Sequence, residues 1–404
     1  MSNTKWTFTV LDSPIVNAFA LPGGYVYITR GLLALANDEA EIASVIGHEI
    51  AHVTARHSAQ RHAKSTLSGI GLDLLSIVVG QPIVTQLASI GVQGVLSAFS
   101  RSEELEADKL GIKYIINAKY DPKGSYRFLK RLNELAKISS KSEQNAINSI
   151  FSTHPKTIDR IEISRENTPN NISYMKYKKN YLAAINNMIY GDNASKGIIK
   201  NNQFFHLELD FSFIIPKKYK VFNNDNSIIL FTDDKEEVII FDGLDIQEAL
   251  TMIELAESIY NRSDIESYKE IKINNKKTVY FDEKSIIKYE DRDYKRRTYL
   301  INWSNNRIWR FSILIKPSII DINFETANII VESMHNLTKQ EKILGKPKYI
   351  KIIEVKMNDT PTILSNKMGI KEKKLEFFSI LNGIDSNRSN EIMEEGSLVK
   401  MVVN

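Results

Sequence analysis

The stretch Gly47-His48-Glu49-Ile50-Ala51-His52 lies in a segment with the apolar spacing of one long helix. His48 and His52 are four residues apart, so at about 3.6 residues per turn both imidazoles project from one helix face and can reach one ion. Glu49 points about 100° away from His48, where it can hold a water beside that ion. A catalytic zinc site takes three protein ligands and one water. The stretch therefore predicts two zinc ligands, His48 and His52, and a general base, Glu49.

The surrounding residues bear on whether this stretch binds metal. The same short H-E-x-x-H pattern occurs by chance in helices whose histidines are merely half-buried, which is the competing interpretation. Here Asn37, Asp38 and Glu39 precede the helix as an N-cap and an acidic first turn. His57 and His62 follow on the same run and are expected at the surface. Apolar residues recur at helical spacing and predict a packed side for the motif: Ile42, Val45, Ile46, Ile50 and Val53.

The composition limits the classes of protein and of metal site. A chain of 404 residues should contain two or three domains, and 43% hydrophobic residues suffice for their cores. The net charge of +4 is small, and basic residues are interspersed with acidic ones, so nothing indicates nucleic-acid binding. The absence of cysteine excludes disulfides and thiolate sites and leaves His, Asp and Glu as zinc ligands.

Two segments concern export and membranes. Residues 1–9 lack the basic start and apolar core of a signal peptide. We therefore expect a periplasmic protein if a leader is missing from this sequence, and a cytoplasmic one otherwise. Residues 67–99 are apolar apart from Asp73, but Gly80-Gln81-Pro82 interrupts them, and a membrane span needs about 20 continuous apolar residues. A buried or amphipathic helical hairpin, with membrane contact but no span, is preferred.

Residues 5–30 alternate in the manner of β-strands. Asn17-Ala18-Phe19-Ala20-Leu21 leads into a turn at Pro22-Gly23-Gly24, and Tyr25-Val26-Tyr27-Ile28-Thr29 follows. A hairpin beside a metal helix would offer an edge strand to an extended peptide. An ordinary core hairpin explains the same pattern.

Two further motifs lie downstream. Ser100-Arg101-Ser102-Glu103-Glu104 opens a predicted helix on which Glu104 and Asp108 lie one turn apart; a plain acidic helix start has the same appearance. Phe151-Ser152-Thr153-His154-Pro155 places His154 before a proline, in extended backbone. His154 could be a fourth, displaceable ligand, an oxyanion donor, or a capping or surface histidine.

Four motifs follow one another along the chain: Asn17 to Gly24, His48 to His52, Ser100 to Asp108, and Thr153-His154-Pro155 with Arg160-Ile161. Over about residues 5–190 the chain resembles the zinc metallopeptidase family that includes the CAAX prenyl protease and the HtpX heat-shock protease. Within that family it is most similar to the soluble, periplasmic BepA-like branch.

The resemblance implies a gluzincin endopeptidase with one zinc ion per chain. It implies that His48, His52 and Glu104 bind the zinc, that Glu49 is the base, and that Asp108 fixes the tautomer of a ligand histidine. It also implies that the edge strand region binds substrate, through Asn17, Ala18, Phe19, Gly23, Gly24 and Tyr25.

The resemblance further implies that the His154 segment covers the zinc in a resting state, with His154 and Arg160 as candidates for an oxyanion or regulatory role. Members of the BepA-like branch act on misfolded or stalled outer-membrane proteins, so unfolded or misfolded polypeptides are the expected partners. Two alternatives stay open. One is a zinc-containing holdase that binds peptides without turnover, and the other is an integral-membrane protease that uses residues 67–99.

The rest of the chain predicts two further domains after a linker at 191–197. Residues 346–404 should form strand, helix, helix and strand, similar to a LysM module, which binds the N-acetylglucosamine glycans of peptidoglycan; a plain tail domain is the alternative. With the metallopeptidase domain at 1–195 and a sheet domain at 200–342, the predicted class is α+β. The predicted strands of the sheet domain are 205–211, 227–231, 238–241, 278–281 and 309–315, with helices near 247–260 and 324–337.

Overall fold

The computed structural model describes residues 4–57, 98–138, 150–151, 154, 158–166, 168–169, 174–223, 226–246, 250–289, 292–304, 306–370 and 372–404. The described residues fall into two compact units. The first takes in those of 4–193 and 347–404, and the second takes in 194–346. Helices and mostly antiparallel sheets are mixed in both, which confirms the predicted α+β class.

The first unit begins with a small sheet and two helices. Its elements are β1 (Thr7–Leu11), β2 (Ala18–Leu21), β3 (Tyr25–Thr29), α1 (Arg30–Leu35) and α2 (Glu39–Thr54). The strand order is β1-β3-β2, so β2 and β3 form the predicted hairpin and β2 lies at one edge of this sheet. Gly23 and Gly24 have φ angles of 98° and 92°, a conformation that side chains disfavour, so the turn between β2 and β3 requires glycine.

Further elements of the first unit follow: α3 (Arg101–Asn117), α4 (Lys123–Ile138), α5 (Ile158–Glu166), α6 (Lys178–Ile185) and β4 (Ile189–Tyr190). Helices α2 and α3 approach closely because two glycines face each other. A Cβ added at Gly47 would lie 3.1 Å from the carbonyl oxygen of Gly111, and one added at Gly111 would lie 3.0 Å from the backbone nitrogen of His48. This crossing brings the acidic first turns of α3 towards the histidines of α2.

The first turn of α2 is held by charge pairs. Within the predicted capping segment that begins at Asn37, the N-cap is Asp38, whose carboxylate accepts the backbone N–H of Glu41 at 2.9 Å. Glu41 is fully buried, and Arg131 of α4 donates to both of its carboxylate oxygens. Arg127, also on α4, bonds to Asp38 and Asp121. Helix α4 therefore fixes the start of the helix that carries the H-E-x-x-H motif.

The second unit is built on antiparallel strands. Its elements are β5 (Ile198–Lys200), β6 (Gln203–His206), β7 (Phe211–Ile214), β8 (Lys220–Asn223), β9 (Ser227–Phe231), β10 (Glu237–Asp245), α7 (Met252–Ile259), β11 (Ile265–Ile273), β12 (Lys276–Glu283), β13 (Ile287–Tyr289), β14 (Arg292–Ser304), β15 (Arg307–Ile315), α8 (Ile320–Glu332) and α9 (Lys339–Leu344). An eight-stranded sheet has the order β11-β12-β14-β15-β10-β9-β8 with β13 beside β14, and β5-β6-β7 form a second sheet. Among the described residues, aromatic side chains are nine of the 21 buried residues in its largest core, and aliphatic side chains are the rest.

The strand predictions for this unit are partly wrong. The predicted strand 205–211 spans a turn at residues 207–210, where Asp210 has a φ of 53°, so the segment is the hairpin of β6 and β7. The 13-residue strand β14 was not predicted. Its first half, Arg292 to Arg297, is mostly charged, and its arginines pair with carboxylates of β12. These ion pairs replace the apolar alternation that marks a half-buried strand.

Residues 347–404 join the first unit. They form β16 (Lys348–Glu354), α10 (Pro361–Asn366), α11 (Lys374–Asn382) and β17 (Leu398–Val403), which confirms the predicted order of this tail. Strand β16 lies between β17 and β4 in one sheet. Lys400 is fully buried, and its ammonium donates to the carbonyls of Ala34, Leu35 and Ala36 at 2.7, 3.0 and 2.6 Å. The division at 1–195, 200–342 and 346–404 stays a prediction, but the tail shares one hydrophobic core with α1, α4 and α6.

No helix among the described residues combines the length and the apolar character that a membrane crossing needs. Residues 67–97, which hold most of the predicted helical hairpin, lie outside the described residues.

Candidate metal centre

His48, His52, Glu104 and His154 form a cluster in which one donor atom of each lies within 4.8 Å of the others. The Nε2 atoms of His48 and His52 are 2.9 Å apart. The two carboxylate oxygens of Glu104 lie 3.3 Å from Nε2 of His52 and 3.6 Å from Nε2 of His48. Two ligands about 2.1 Å from one zinc ion in tetrahedral geometry are about 3.4 Å apart. The donor types and their spacing therefore fit one zinc ion.

Asp108 orients His48. Its Oδ1 is 2.8 Å from Nδ1 of His48, and Arg160 of α5 donates to both oxygens of the same carboxylate at 2.7 and 2.8 Å. Burial opposes ionisation, but the charge and hydrogen bonds of Arg160 outweigh it and lower the pKa of Asp108 to about 2. A carboxylate in this place accepts the Nδ1 proton of His48 and leaves Nε2 free for a metal.

His57 orients the ring of His52, as Asp108 orients that of His48. The prediction that His57 lies at the surface is wrong. It is 2% exposed, and its Nδ1 is 2.9 Å from Nδ1 of His52. The chain leaves α2 through Arg56, whose φ of 62° reverses the backbone and returns the next side chain to the helix. Because His57 lies beyond the end of α2, helical periodicity could not predict that its side chain faces His52. Burial lowers the pKa of His52 to about 2, so this imidazole is neutral, the form that binds metals.

His154 reaches the cluster from outside these helices. Its Nδ1 is 2.9 Å from Oε1 of Glu104 and 3.3 Å from Nε2 of His48. Its Nε2 is 3.5 Å from Oε1 of Glu49. The ring thus lies between the other donors and Glu49, where a catalytic site would keep its water. Of the predicted roles for His154, this position fits a fourth ligand.

Glu49 and Arg160 surround the cluster with charge. Glu49 is buried, and burial raises the pKa of its carboxyl although the charges of His154 and His48 oppose the shift. A carboxylate with a raised pKa is a stronger base than an exposed glutamate. Arg160 also contacts Glu104 at 2.5 Å. It therefore pairs with two carboxylates, and its predicted oxyanion or regulatory role stays a prediction.

The predicted substrate residues lie on and beside the edge strand. Strand β2 packs against α2. Asn17 and Ala18 are buried, and Phe19 stacks on Tyr27 with ring centroids 4.9 Å apart. Gly23, Gly24 and Tyr25 lie at the far turn of the hairpin, with Tyr25 exposed. Their part in substrate binding stays a prediction.

Comparison with known proteins agrees with this centre. Residues 1–167 match the profile of peptidase family M48. The beta-barrel assembly-enhancing protease of Escherichia coli (strain K12) is 33% identical over 172 residues, which cover 40% of this chain and 34% of that protein. The mitochondrial metalloendopeptidase OMA1 of Arabidopsis thaliana is 33% identical over 156 residues, 38% of this chain and 30% of that protein. OMA1 of Schizosaccharomyces pombe is 31% identical over 170 residues, 42% of this chain and 48% of that protein.

The chain thus spans about a third to a half of the length of these relatives. The matched segment contains every donor of the cluster, together with Glu49, Asp108 and Arg160. Residues 1–167 of the chain are thus similar to peptidase family M48, and the likeness covers the whole of the metal cluster.

Proposed function

We propose that this protein is a zinc metalloendopeptidase. The observation that carries the proposal is the convergence of His48, His52 and Glu104 beside the buried carboxyl of Glu49. These three side chains would hold the ion. When bound, zinc polarises the scissile carbonyl and lowers the pKa of its water to about 7.

The chain's own residues move the proton and hold the geometry. Glu49 accepts the proton of the attacking water and later donates it to the leaving amine, a task for which its raised pKa is suited. Asp108 keeps Nε2 of His48 turned towards the ion. Arg160 keeps Asp108 ionised and balances the charge of Glu104.

The proposal includes a closed resting state. His154 lies within 2.9 Å of Glu104 and 3.5 Å of Glu49, so its ring must move before water and substrate can take that place. The variant His154→Ala should therefore raise basal cleavage. If activity disappears instead, His154 is a catalytic donor and the resting state is refuted.

We infer that the substrates are unfolded or misfolded polypeptides of the bacterial envelope, with the protein in the periplasm. Support comes from the relatives, which include a beta-barrel assembly-enhancing protease, and from β2, an edge strand beside α2 to which an extended peptide can add. Peptidoglycan binding by residues 346–404 rests on the LysM resemblance and stays a prediction.

Metal analysis combined with casein digestion tests the function. Wild type and Glu49→Gln are each assayed with and without chelator. We expect zinc in both proteins, cleavage by the wild type that chelator abolishes, and a loss of about 10²–10⁴-fold in the variant. If the protein is a holdase, wild type and Glu49→Gln should bind peptides equally well and neither should cleave them. Zinc-loaded protein without cleavage, in both wild type and His154→Ala, would contradict the proposal.

A further inference from the structure

The second ring nitrogen of His57 faces a carboxylate at the surface. Nε2 of His57 lies 3.4 Å from Oε2 of Glu106, which follows Glu104 by two residues on α3. The imidazole of His57 is buried, whereas the side chain of Glu106 is 60% exposed. A line of polar contacts therefore runs from the solvent through Glu106 and His57 to Nδ1 of His52.

We propose that Glu106 is a positioning residue for the metal centre. It fixes the tautomer of His57, His57 fixes that of His52, and the lone pair of His52 Nε2 is thereby turned towards the zinc. The inference rests on the zinc site of the proposed function and not on cleavage. Neither Glu106 nor His57 belongs to the donor cluster found in the described part of the chain, so both act through His52.

The tautomers follow from the place of each nitrogen. Nε2 of His52 lies 2.9 Å from Nε2 of His48 and 3.3 Å from Glu104, so this nitrogen needs its lone pair to bind the metal. A neutral imidazole has one N–H and one lone pair, which puts the proton of His52 on Nδ1. That N–H donates to Nδ1 of His57, 2.9 Å away. His57 can accept it only in the tautomer that carries its own proton on Nε2.

The carboxylate of Glu106 favours this tautomer of His57. The N–H at Nε2 of His57 needs an acceptor, because a buried donor without a partner destabilises the protein. Within the residues that the structure describes, Glu106 supplies that acceptor. In the other tautomer, Nε2 of His57 would present a lone pair to a group that only accepts hydrogen bonds. The N–H groups of His57 and His52 would then also face each other.

Packing alone does not choose between the two tautomers. Phe99 stacks on His52 with ring centroids 3.6 Å apart and ring planes inclined by 22°. The centroid of the same phenyl ring is 6.2 Å from that of His57. These contacts restrain the planes of the imidazoles, but a phenyl ring has no polar atom that distinguishes one ring nitrogen from the other. The choice therefore depends on the hydrogen bonds of His57 and Glu106.

A series of substitutions at Glu106 separates the hydrogen bond from the charge. Glu106→Ala removes the acceptor and should weaken zinc binding about 3–10-fold in chelator competition. Glu106→Gln keeps an acceptor oxygen without the charge and should stay within about twofold of the wild type. The control Glu162→Ala removes the same charge from an exposed position on α5 and should leave the affinity unchanged. Equal losses in Glu106→Ala and Glu106→Gln, or no loss in Glu106→Ala, overturn the inference.

Nitrogen NMR of isotope-labelled histidines reads the tautomers in the zinc-loaded protein. The chain has seven histidines, and the signals that are missing from His57→Phe identify those of His57. We expect the proton of His57 on Nε2 in the wild type and in Glu106→Gln, and a mixture of the two tautomers in Glu106→Ala. A proton on Nδ1 of His57 in the wild type, or an unchanged tautomer in Glu106→Ala, overturns the inference.

These measurements separate the inference from the peptidase function. Zinc-loaded protein that shows the expected tautomers and affinities but cleaves no casein would contradict only the peptidase function. Casein cleavage that chelator abolishes, together with an unchanged tautomer and affinity in Glu106→Ala, would contradict only the role of Glu106. A wild type that binds no zinc overturns both, and thermal unfolding of each variant verifies that it is folded.

Discussion

Gly111→Ala perturbs the helix crossing on which the metal centre depends. The added Cβ would lie 3.0 Å from the backbone nitrogen of His48, 3.1 Å from the carbonyl carbon of Gly47 and 3.2 Å from Cα of His48. Ordinary contacts of a Cβ begin at 3.4 Å, so α2 and α3 must separate by about 0.4 Å (3.4 − 3.0) or more. All three atoms belong to the backbone of α2, and no side-chain rotation relieves the contact.

Two effects then oppose each other in the free energy of unfolding. Alanine is favoured over glycine inside a helix by about 1 kcal/mol, whereas overpacking costs about 1–3 kcal/mol. The net destabilisation should be about 0–2 kcal/mol. Zinc affinity should fall as well, since a separation of about 0.4 Å or more reaches the roughly 0.5 Å within which the ligands of a metal site must be held. Helix α3 carries both Glu104 and Asp108, so we expect a loss of about 10–100-fold.

The assay is competition for zinc against a chelator of known affinity, with thermal unfolding measured on the same samples. Lys113→Ala is the control, because Lys113 is exposed on the same helix. A folded Gly111→Ala protein with the zinc affinity of the wild type would refute the claim that the glycine contact sets the position of Glu104 and Asp108.

Three further predictions concern the support of the site. His57→Phe should weaken zinc binding about 10–100-fold in chelator competition, because the hydrogen bond to His52 is lost; unchanged affinity would contradict the role of His57. Lys400→Met should lower the free energy of unfolding by about 1–3 kcal/mol, because three buried carbonyls lose their donor, whereas the exposed Lys351→Met should have little effect. Burial opposes ionisation of Glu41, but the neighbouring arginines of α4 outweigh it and lower its pKa below the usual 4.5. Its stabilising effect is therefore present above pH 4.5 and is lost as the pH falls through the lowered pKa, and Glu41→Gln should flatten the acid side of a stability curve measured by denaturant titration.

The local part of the metal centre could be predicted from the sequence. His48 and His52 share a helix face by periodicity alone, and Asp38 marks the start of that helix by its capping chemistry. Helical periodicity relates residues of one helix only, so it could not place Glu104 of α3 beside the histidines of α2. That position was implied by the family resemblance alone. Helices α2 and α3 approach closely where Gly47 contacts Gly111. The sequence of a helix does not show which other helix its glycines contact.

Other features depend on contacts between distant segments. A single backbone reversal at Arg56 directs His57 inward. The pattern of side chains in the sequence does not predict that reversal. The tail has the predicted elements, yet its contact with the end of α1 includes the buried Lys400, a residue type normally found at the surface. The charged half of β14 can form a strand because its arginines pair with Asp282 and Glu283. For Lys400 and for β14 the partner, and not the local sequence, determines the structure.

The zinc content of Glu104→Gln tests the central claim most directly. Wild type, Glu104→Gln and the exposed control Glu162→Gln are loaded with zinc, dialysed together and analysed by plasma mass spectrometry, with circular dichroism to verify folding. We predict about one zinc ion per chain in the wild type and the control, and a large loss in Glu104→Gln. Full zinc content in a folded Glu104→Gln protein would contradict a centre formed by two imidazoles of α2 and the carboxylate of α3.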